Sequence, residues 1–407
     1  MKALSICPPG RGGMYGVFLT LRKALALCGV DLRWAAAGRS VAEQAFAAAS
    51  AADFEIGSLV ATAADDDQLK ARALLDHIER EQPELLFINV FGGPFETNLA
   101  RYLPRRVSSV LIVHSISRST YRAARSVRDW IDAAVAVSPR IRQDLIWNEG
   151  FRPESVHLIP NAVETDAGLP RPEHRSRELR VLCHGRVEHF AKGVNWLPAI
   201  LKKALARGLD LTLTVSGEGP DLARLEGEIR RAGLEGHARF LGFVPRERVP
   251  EVMRAHDVLL FPSVFEGFGL TLLEAMAAGC VPVASRIRGV TDYVVADGET
   301  GLLFPVGSTQ VAAARLVELG NDRQRLQAMS ERAGRSVRAR FGIEAQGAAF
   351  LRLIETIHRE PRRARAALPV ERWQMPSELR PGWWHALPAP VKSVLRVTRE
   401  RLQFGAA

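Results

Sequence analysis

A glycine loop runs into a helix in the stretch Glu266-Gly267-Phe268-Gly269-Leu270-Thr271-Leu272-Leu273-Glu274, which carries a carboxylate at each end. The glycines let the backbone approach a ligand closely, and Leu270–Ala278 predicts a helix that ends at Gly279. Free N–H groups at the start of this helix would face an anion such as a phosphate. A continuous helix would place the two carboxylates about 12 Å apart, whereas carboxylates that act on one glycosidic bond lie roughly 5 to 9.5 Å apart. We therefore expect Glu266 and Glu274 to contact two ends of one long ligand.

The composition is that of a globular protein with room for two buried cores. The chain has 407 residues, of which 47% are hydrophobic, and this length favours two domains. The apolar start Met1–Cys7 stops at Pro8, and no run of about 18 apolar residues occurs, so we predict neither a signal peptide nor a membrane span. Its 4 cysteines are scattered without CxxC pairs, which disfavours a disulfide framework or a zinc site. We expect a cytoplasmic protein with reduced thiols.

Strand and helix patterns alternate along most of the chain. In the first half, short apolar runs predict strands at Ala3–Cys7, Leu85–Val90, Val110–Val113 and Ala133–Val137. A second series predicts strands at Val181–Cys183, Leu211–Ser216, Arg239–Leu241, Val258–Phe261 and Val281–Ala284. Such alternation indicates an α/β fold in which parallel sheets are covered by helices on both faces.

Composition shifts divide the chain into domains. We predict an N-terminal domain at 1–163, a Pro-, Glu- and Arg-rich linker at 164–179, and a C-terminal domain at 180–340. A helical pattern from Thr309 to Ile357 is interrupted at Phe341-Gly342. The helix near 342–357 is expected to pack back on the N-terminal domain.

A basic tail with tryptophans occupies residues 359–407. It holds ten basic and four acidic residues, and so contributes +6 of the net charge of +10, which favours an anionic surface as its partner. Trp373, Trp383, Trp384 and the amphipathic run Val391–Phe404 suit a membrane interface. The alternatives are that the tryptophans clamp the tail onto the domains or that the tail mediates oligomerisation. Binding to nucleic acid is weakly supported.

Polar residues that directly follow predicted strands are candidate ligand contacts, because ligands of open α/β sheets bind at the carboxyl ends of the strands. Arg186 and Lys192 lie in a glycine loop after one strand, where they suit a departing diphosphate, although a solvated basic loop is the alternative. Gly217 opens a tight turn that a nucleotide could approach, or that turn chemistry alone explains. His114 follows the strand Val110–Val113, where it would contact a sugar hydroxyl or serve as a hydrogen-bonded structural residue.

Two further motifs predict neither a metal site nor a nicotinamide cofactor. Asp65-Asp66-Asp67 contains an Asp-x-Asp pattern, but acidic residues at the start of a helix complement its dipole, so we predict no metal site. The loop at Gly12-Gly13 lacks the full Gly-x-Gly-x-x-Gly spacing and an acidic residue about 20 positions on, which disfavours a nicotinamide cofactor.

The ordered motifs resemble those of family 4 glycosyltransferases, the retaining, nucleotide-sugar-dependent enzymes of the GT-B fold, over about residues 3–357. The matching pieces are Gly12-Gly13, Val113-His114, Ile159–Val163, Gly185-Arg186, Lys192-Gly193, Gly217–Pro220, and Phe265–Gly269 through Glu274–Gly279. The resemblance implies two Rossmann-like domains facing a cleft, with acceptor bound mainly by the first and donor by the second. It also implies a nucleoside-diphosphate sugar as donor substrate, no cofactor and no metal.

The resemblance also implies a role for each matching residue. Glu266 would hold donor-sugar hydroxyls, and Glu274 would accept hydrogen bonds from the ribose. Arg186 and Lys192 would stabilise the diphosphate, assisted by the backbone N–H groups of Phe268, Gly269, Leu270 and Thr271. His114 would contact the sugar near the reacting carbon, and the backbone of Gly12 and Gly13 would border phosphate and acceptor.

The function expected from the sequence is transfer of a sugar to a hydroxyl of a glycan, a lipid-linked glycan or a small polyol. Two alternatives stay open. A nucleotide-sugar 2-epimerase of similar architecture would act without an acceptor, and a non-catalytic protein would bind nucleotide sugars or anionic polymers through its tail. Peripheral membrane contact through residues 391–404, at the inner face of the membrane, would suit a lipid-linked acceptor.

Overall fold

The computed structural model of the protein describes residues 1–10, 13–38, 50–60, 66–90, 94–165, 177–359, 365–380 and 387–404. The chain forms two compact units, each built from two separate stretches of sequence. The first unit comprises Met1–Ala162 with Ile343–His385, and the second unit comprises Val163–Gly342 with Ala386–Ala407. Of the predicted linker, residues 166–176 lie outside the described residues.

The first unit contains a seven-stranded parallel sheet with the strand order β3-β2-β1-β4-β5-β6-β7. Its strands are β1 (Lys2–Ile6), β2 (Asp31–Ala37), β3 (Gly57–Val60), β4 (Leu85–Val90), β5 (Ser108–Val113), β6 (Ala133–Ala136) and β7 (Val156–Leu158). Its helices are α1 (Gly13–Ala26), α2 (Ala51–Glu55), α3 (Asp67–Glu81), α4 (Pro94–Leu99), α5 (Arg118–Val127) and α6 (Pro139–Trp147), with α15 added below.

The second unit contains a six-stranded parallel sheet with the strand order β10-β9-β8-β11-β12-β13. Its strands are β8 (Leu179–His184), β9 (Leu211–Ser216), β10 (Ala238–Gly242), β11 (Val258–Phe261), β12 (Val281–Arg286) and β13 (Leu302–Pro305). Its helices are α7 (His189–Lys192), α8 (Leu197–Leu205), α9 (Leu222–Arg231), α10 (Val249–Arg254), α11 (Leu270–Ala277), α12 (Thr291–Val294), α13 (Thr309–Asn321) and α14 (Arg323–Phe341).

Burial explains why the central strands were predictable from continuous apolar runs. All six residues of β5 and all six of β9 are buried, as expected for parallel strands covered by helices on both faces. The predicted α/β fold with two Rossmann-like domains is confirmed. Four strands escaped prediction, namely β2, β3, β7 and β13. Three of these are edge strands of three or four residues, and β2 is rich in alanine, which has little strand preference.

The helical region after Thr309 divides at two points. The predicted interruption at Phe341-Gly342 is confirmed, because α14 ends at Phe341 and α15 (Ile343–Arg359) begins directly after Gly342. A further break lies at Asp322, whose side chain accepts a hydrogen bond of 2.9 Å from the Arg325 N–H and so caps α14. The sequence pattern did not reveal this break.

Helix α15 packs on α1 of the first unit through a glycine. A Cβ atom on Gly347 would lie 2.6 Å from the Ala24 carbonyl oxygen, so only glycine permits this approach. The Cys28 thiol donates to the Gly347 carbonyl oxygen at 3.3 Å, and the rings of Phe350 and Phe87 meet edge to face at 5.7 Å. The chain thereby returns to the first unit after completing the second sheet.

The tail beyond α15 belongs first to the first unit and then, from Ala386, to the second. Trp373 packs on the first unit, with its ring centroid 4.6 Å from Tyr102 and 5.4 Å from Phe95. This contact agrees with the packing alternative for Trp373, while Trp383 and Trp384 lie outside the described residues. The last helix, α16 (Ala389–Phe404), belongs to the second unit. No helix within the described ranges combines the length and apolar composition needed to cross a bilayer.

Candidate active site

The candidate site of the second unit lies where its strand order reverses. Strand β8 has β9 on one side and β11 on the other, so the loops that follow β8 and β11 leave the sheet in a crevice at their carboxyl ends. Arg186 and Lys192 follow β8, and Glu266 follows β11. The predicted residues are therefore brought to the position where open α/β sheets bind ligands.

Lys192 and Glu266 form an ion pair between these two loops. The Lys192 Nζ lies 2.5 Å from the Glu266 Oε1, and the Ser263 hydroxyl donates to the same oxygen at 2.8 Å. The Lys192 side chain is 28% exposed and the Glu266 side chain 11%. A charge-assisted hydrogen bond with little solvent access fixes both groups in position. The sequence predicted the two residues in separate roles but not their direct contact.

Backbone contacts hold the two loops together. The Ala191 carbonyl oxygen accepts hydrogen bonds from the Val264 N–H at 2.8 Å and from the Phe265 N–H at 3.2 Å. Gly193 ends α7 with a φ of +66°, and a Cβ atom there would lie 2.1 Å from the Pro262 carbonyl oxygen. Glycine at 193 thus allows the Lys192 loop to close on the loop that carries Glu266.

Arg186 lines the same cavity as Lys192 and is mostly exposed. Its side chain is 67% exposed, and its Nε lies 3.7 Å from the Glu188 Oε2. An exposed ion pair of this length contributes little to stability. The guanidinium is therefore available for an anionic ligand at low energetic cost.

A small cavity adjoins the ion pair, and His184 forms part of its wall together with Lys192, Phe261 and Ser263. His184 Nδ1 lies 2.7 Å from the Ser216 Oγ. Burial, followed by the charge of Lys192, lowers the pKa of His184 to about 4. The imidazole is consequently neutral at pH 7. Sequence analysis missed His184 and Ser263, although the rule that selected His114 at the end of a strand applies equally to His184.

Gly217 follows β9 and is required by backbone packing. It has a φ of +126°, and a Cβ atom there would lie 2.0 Å from the Gly185 carbonyl oxygen. Gly219 is similarly close to the Val187 carbonyl oxygen, at 2.3 Å. These glycines bring the turn against the loop after β8, so the turn supports the loop that bears Arg186.

The loop that carries Glu266 turns into α11 at Gly269, which has a φ of +94°. Helix α11 begins at Leu270 and ends at Ala277, so only the last four steps between Glu266 and Glu274 are helical. The separation expected for a continuous helix therefore does not hold for the carboxylates of Glu266 and Glu274. Phe268 is buried against Phe341, with ring centroids 5.9 Å apart. This anchor orients the first N–H groups of α11, including those of Leu270 and Thr271.

Glu274 lies in the second turn of α11 and is half-buried. Burial raises the pKa of its carboxyl group, and the charge of Arg246 partly offsets this increase. A half-buried carboxylate in this position has limited access to water. A hydroxyl group of a bound ligand could donate the hydrogen bond that the carboxylate needs.

The predicted residues of the first unit have a different character. His114 directly follows β5 and is buried, and its Nε2 donates to the Asn89 Oδ1 at 2.9 Å. The Asn89 Nδ2 in turn donates to the Ser5 hydroxyl at 3.0 Å. Burial lowers the pKa of His114 to about 4, so the ring is neutral at pH 7. Gly13 begins α1, and Gly12 lies outside the described residues.

The last two residues of the aspartate triplet begin a helix. Asp66 accepts a hydrogen bond of 2.9 Å from the Leu69 N–H as the N-cap of α3, and Asp67 is the first residue of that helix. Asp65 lies outside the described residues. Across the described ranges, no group of three or more His, Cys, Asp or Glu side chains has a metal-binding arrangement.

Both halves of the chain match known families. Residues 11–167 match the family described as Glycosyltransferase Family 4, and residues 169–336 match the one described as Glycosyl transferases group 1. These two matches together cover every strand of both sheets except β1 (Lys2–Ile6).

Curated proteins also resemble the chain. A phosphatidyl-myo-inositol mannosyltransferase of Mycolicibacterium smegmatis is 35% identical over 240 residues, which is 57% of this chain and 59% of the relative. The protein of that name from Mycobacterium tuberculosis H37Rv is 33% identical over 67% of this chain and 70% of its own. One subunit of the phosphatidylinositol N-acetylglucosaminyltransferase of Arabidopsis thaliana is 28% identical over 41% of this chain. The chain spans less than two thirds of the first and third of these relatives, 59% and 37%.

Solved structures share the fold. The Anabaena protein HepE in complex with UDP and glucose has a TM-score of 0.70 at 20% identity, over 88% of this chain and 100% of its own. A glycosyltransferase from Rickettsia africae has a TM-score of 0.70 at 16% identity, over 88% of this chain and 99% of its own. The two Rossmann-like units are thus those of the GT-B fold, as predicted.

Proposed function

We propose that this chain, which belongs to the family 4 glycosyltransferases, transfers a sugar from a nucleoside diphosphate to a hydroxyl group with retention of configuration. The Lys192–Glu266 ion pair at the reversal of the second sheet carries this proposal. It combines a cation that suits a leaving phosphate with a carboxylate that suits sugar hydroxyls. The carboxylate, Glu266, lies four residues before the start of α11.

The donor is proposed to bind along the second unit. The diphosphate would accept hydrogen bonds from the N–H groups of Phe268–Thr271, where the dipole of α11 favours negative charge. Lys192 and Arg186 would neutralise the charge that builds on the departing diphosphate, so that no metal ion is needed. Glu274 would accept hydrogen bonds from the ribose.

The proposed reaction exchanges one bond for another on the same face of the sugar. The bond between the anomeric carbon and the diphosphate oxygen breaks, and the acceptor oxygen forms the new bond to that carbon. The proton of the acceptor hydroxyl passes to the leaving diphosphate oxygen. Glu266, held by Lys192 and Ser263, would orient the sugar hydroxyls, and neutral His114 of the first unit would contact a hydroxyl by hydrogen bonding rather than by charge.

The acceptor is proposed to be a polyol, free or carried by a lipid, or a glycan. Two relatives support this choice by name, since one acts on phosphatidyl-myo-inositol and another is a 2-deoxystreptamine glucosyltransferase of Streptomyces kanamyceticus. Each name refers to a compound whose ring carries several hydroxyl groups. The glucosyltransferase is 34% identical to this chain over 34% of this chain and 38% of its own length.

A lipid-carried acceptor is further supported by α16. Four large apolar side chains of this helix are exposed, namely Val391 (44%), Val394 (64%), Leu395 (48%) and Leu402 (72%). They share one side of the helix, which we call the apolar face of α16. Such a face, in a tail with a net charge of +6, suits shallow insertion into an anionic membrane surface.

The proposal is tested by calorimetric titration with UDP, GDP, ADP and their sugar conjugates in the presence of EDTA. One nucleotide family should bind, and Glu274→Ala should weaken that binding roughly 10- to 100-fold, because a charged hydrogen bond is lost. Glu235→Ala is the matched control, since Glu235 is exposed in the same unit.

Product analysis completes this test. With the nucleotide sugar that binds, a polyol acceptor should receive the sugar in the anomeric configuration of the donor. An altered sugar formed without any acceptor would instead identify a 2-epimerase. If the unaltered protein binds none of the nucleotides, the proposed nucleoside-diphosphate donor is wrong.

A further inference from the structure

The last helix of the chain contacts both loops that carry the Lys192–Glu266 pair. We propose that Arg396 of α16 is a positioning residue that holds the Lys192 loop against the Glu266 loop. The inference rests on the proposed function only for its kinetic consequence, because the contact itself belongs to the fold of the second unit.

Arg396 lies between two aromatic rings from the two loops. Its guanidinium carbon is 4.1 Å from the ring centroid of Phe190 and 4.2 Å from that of Phe265. Phe190 lies in α7, two residues before Lys192, and Phe265 directly precedes Glu266. One cation therefore bridges the chain segments whose side chains form the ion pair, by a cation–π contact on each side.

Helix α7 needs such external support. It has only four residues, His189–Lys192, and a helix of a single turn is not stable by itself because nucleation is unfavourable. Its position depends on contacts with neighbours, including the edge-to-face contact of His189 with Trp196 at 5.2 Å. Arg396 adds a further side-chain link between α7 and the neighbouring loop, beside the Lys192–Glu266 ion pair.

The orientation of α16 is the reverse of an ordinary surface helix. Its apolar face is exposed, whereas Glu400 is buried and Arg396 is partly buried on the side that meets the second unit. Arg401 fixes the helix by donating from Nε to the Val306 carbonyl oxygen at 2.8 Å. Burying charged groups is unfavourable unless they make specific contacts, so the inward Arg396 is better explained by its two rings than by general packing.

The expected kinetic effect of losing this contact is selective. Lys192 and Glu266 act on the leaving phosphate and the sugar, whereas the nucleotide is held mainly by α11 and Glu274. Arg396→Gln should therefore lower kcat about tenfold while it changes the Kd for the nucleoside monophosphate, which lacks the departing phosphate, less than about twofold. Arg396→Lys should recover much of the lost kcat, because an ammonium group can also lie over aromatic rings.

The structural contact is tested without any activity measurement. Hydrogen–deuterium exchange of the full chain should show faster exchange in Arg396→Gln at residues 188–196 and 263–268, and unchanged exchange in the strands of the first unit. Arg399→Gln is the matched control, since Arg399 is exposed on the same helix. It should leave both exchange and kcat, measured with a water-soluble acceptor, at the level of the unaltered protein.

The outcomes separate this inference from the proposed function. Faster exchange in both segments together with a lower kcat and an unchanged nucleotide Kd supports the positioning role. Unchanged exchange, or faster exchange with unchanged kcat, overturns it, as does a general loss of protection that Arg396→Lys fails to restore. A protein whose unaltered form transfers no sugar would overturn the proposed function, while the exchange data would still decide the contact.

Discussion

The two units share a topology but differ in the charge at the ends of their strands. In the second unit, a lysine and a glutamate meet at 2.5 Å where the sheet order reverses. In the first unit, the predicted polar residue His114 follows β5, one strand outward from the reversal between β1 and β4, and it is buried, neutral and hydrogen-bonded to the amide of Asn89. Among the described residues, one fold therefore places a charged pair after two strands of the second unit and a neutral, hydrogen-bonded histidine after a strand of the first.

This difference follows from the chemistry that each unit is proposed to serve. A departing diphosphate carries negative charge, which cations and aligned N–H groups stabilise. A sugar or polyol hydroxyl is uncharged and is recognised by groups that remain neutral at physiological pH. A shared sheet thus fixes where a ligand binds, and the residues after each strand fix which kind of ligand it is.

The largest expected effect is the loss of the charged pair. Lys192→Met should lower kcat by about 100- to 1,000-fold, because a group that stabilises developing charge is removed. His114→Asn in the first unit should lower kcat only about tenfold, because a neutral hydrogen bond is altered. Steady-state kinetics with the donor identified by calorimetry measures both values.

Lys202→Met is the control for this comparison, since Lys202 is exposed on α8 of the same unit. Its kcat should match that of the unaltered protein. The double variant Lys192→Met/Glu266→Gln should be less impaired than the product of the single effects, because the two residues act as a pair. Equal losses for Lys192→Met and His114→Asn would break the contrast between the units.

An intermediate effect is expected on stability in acid, where the two units should behave alike. Burial lowers the pKa of both His114 and His184 to about 4, below the ordinary value of about 6.5. The unfolded chain therefore binds more protons between these values. Stability should be complete above about pH 6.5 and should fall as the pH decreases toward 4, by up to about 1 kcal/mol per pH unit for each histidine.

His184→Gln should flatten this dependence, whereas His358→Gln should leave it unchanged, since His358 is exposed. Urea unfolding measured from pH 7 to pH 4 provides the free energies. A pH dependence in the His184→Gln protein as steep as that of the unaltered protein would show that His184 is not a buried neutral group.

The smallest expected effect concerns the apolar face of α16. Replacing Leu402 by aspartate should weaken binding to vesicles that contain phosphatidylserine by about three- to tenfold, because one exposed apolar side chain is lost and a negative charge is added. Transfer to a water-soluble acceptor should be unaffected. Leu241→Asp, an exposed leucine of β10, is the control, and equal vesicle binding by all three proteins would contradict a membrane contact through α16.

The strands were predictable mainly at the centres of the sheets, where burial imposed a continuous apolar pattern. Strands β4, β9 and β11 have the predicted limits, Leu85–Val90, Leu211–Ser216 and Val258–Phe261. The short edge strands β3 and β7 lack such a pattern, since a strand with one neighbour needs less apolar sequence. Strand β13 carries the buried apolar run Leu302–Phe304 and was nevertheless missed, because periodicity alone cannot assign so short an apolar run to a strand. The break at Asp322 depends on a hydrogen bond that its side chain accepts. In the sequence, an aspartate that caps a helix cannot be told from other polar residues.

The candidate site was predictable as a set of residues but not as a set of contacts. Glycines and charges after strands pointed to Lys192, Glu266 and Glu274 through general rules and through resemblance. The hydrogen bond from Ser263 and the bridge formed by Arg396 carry no local signature, because they depend on how distant loops meet. Arg396 is 130 positions after Glu266 in the sequence, and an isolated arginine on an amphipathic helix has no pattern that indicates its partners.

The route of the chain has a consequence for any attempt to divide the protein. The second unit needs residues 163–342 and the segment that begins at Ala386, and the first unit needs the segment that begins at Ile343. A single cut therefore releases neither unit intact. A fragment that stops at His385 would retain the whole first unit and every strand of the second sheet and yet lack α16 and Arg396. Deletion mapping from the C-terminus would thus assign to the tail a loss of activity that originates beside Lys192.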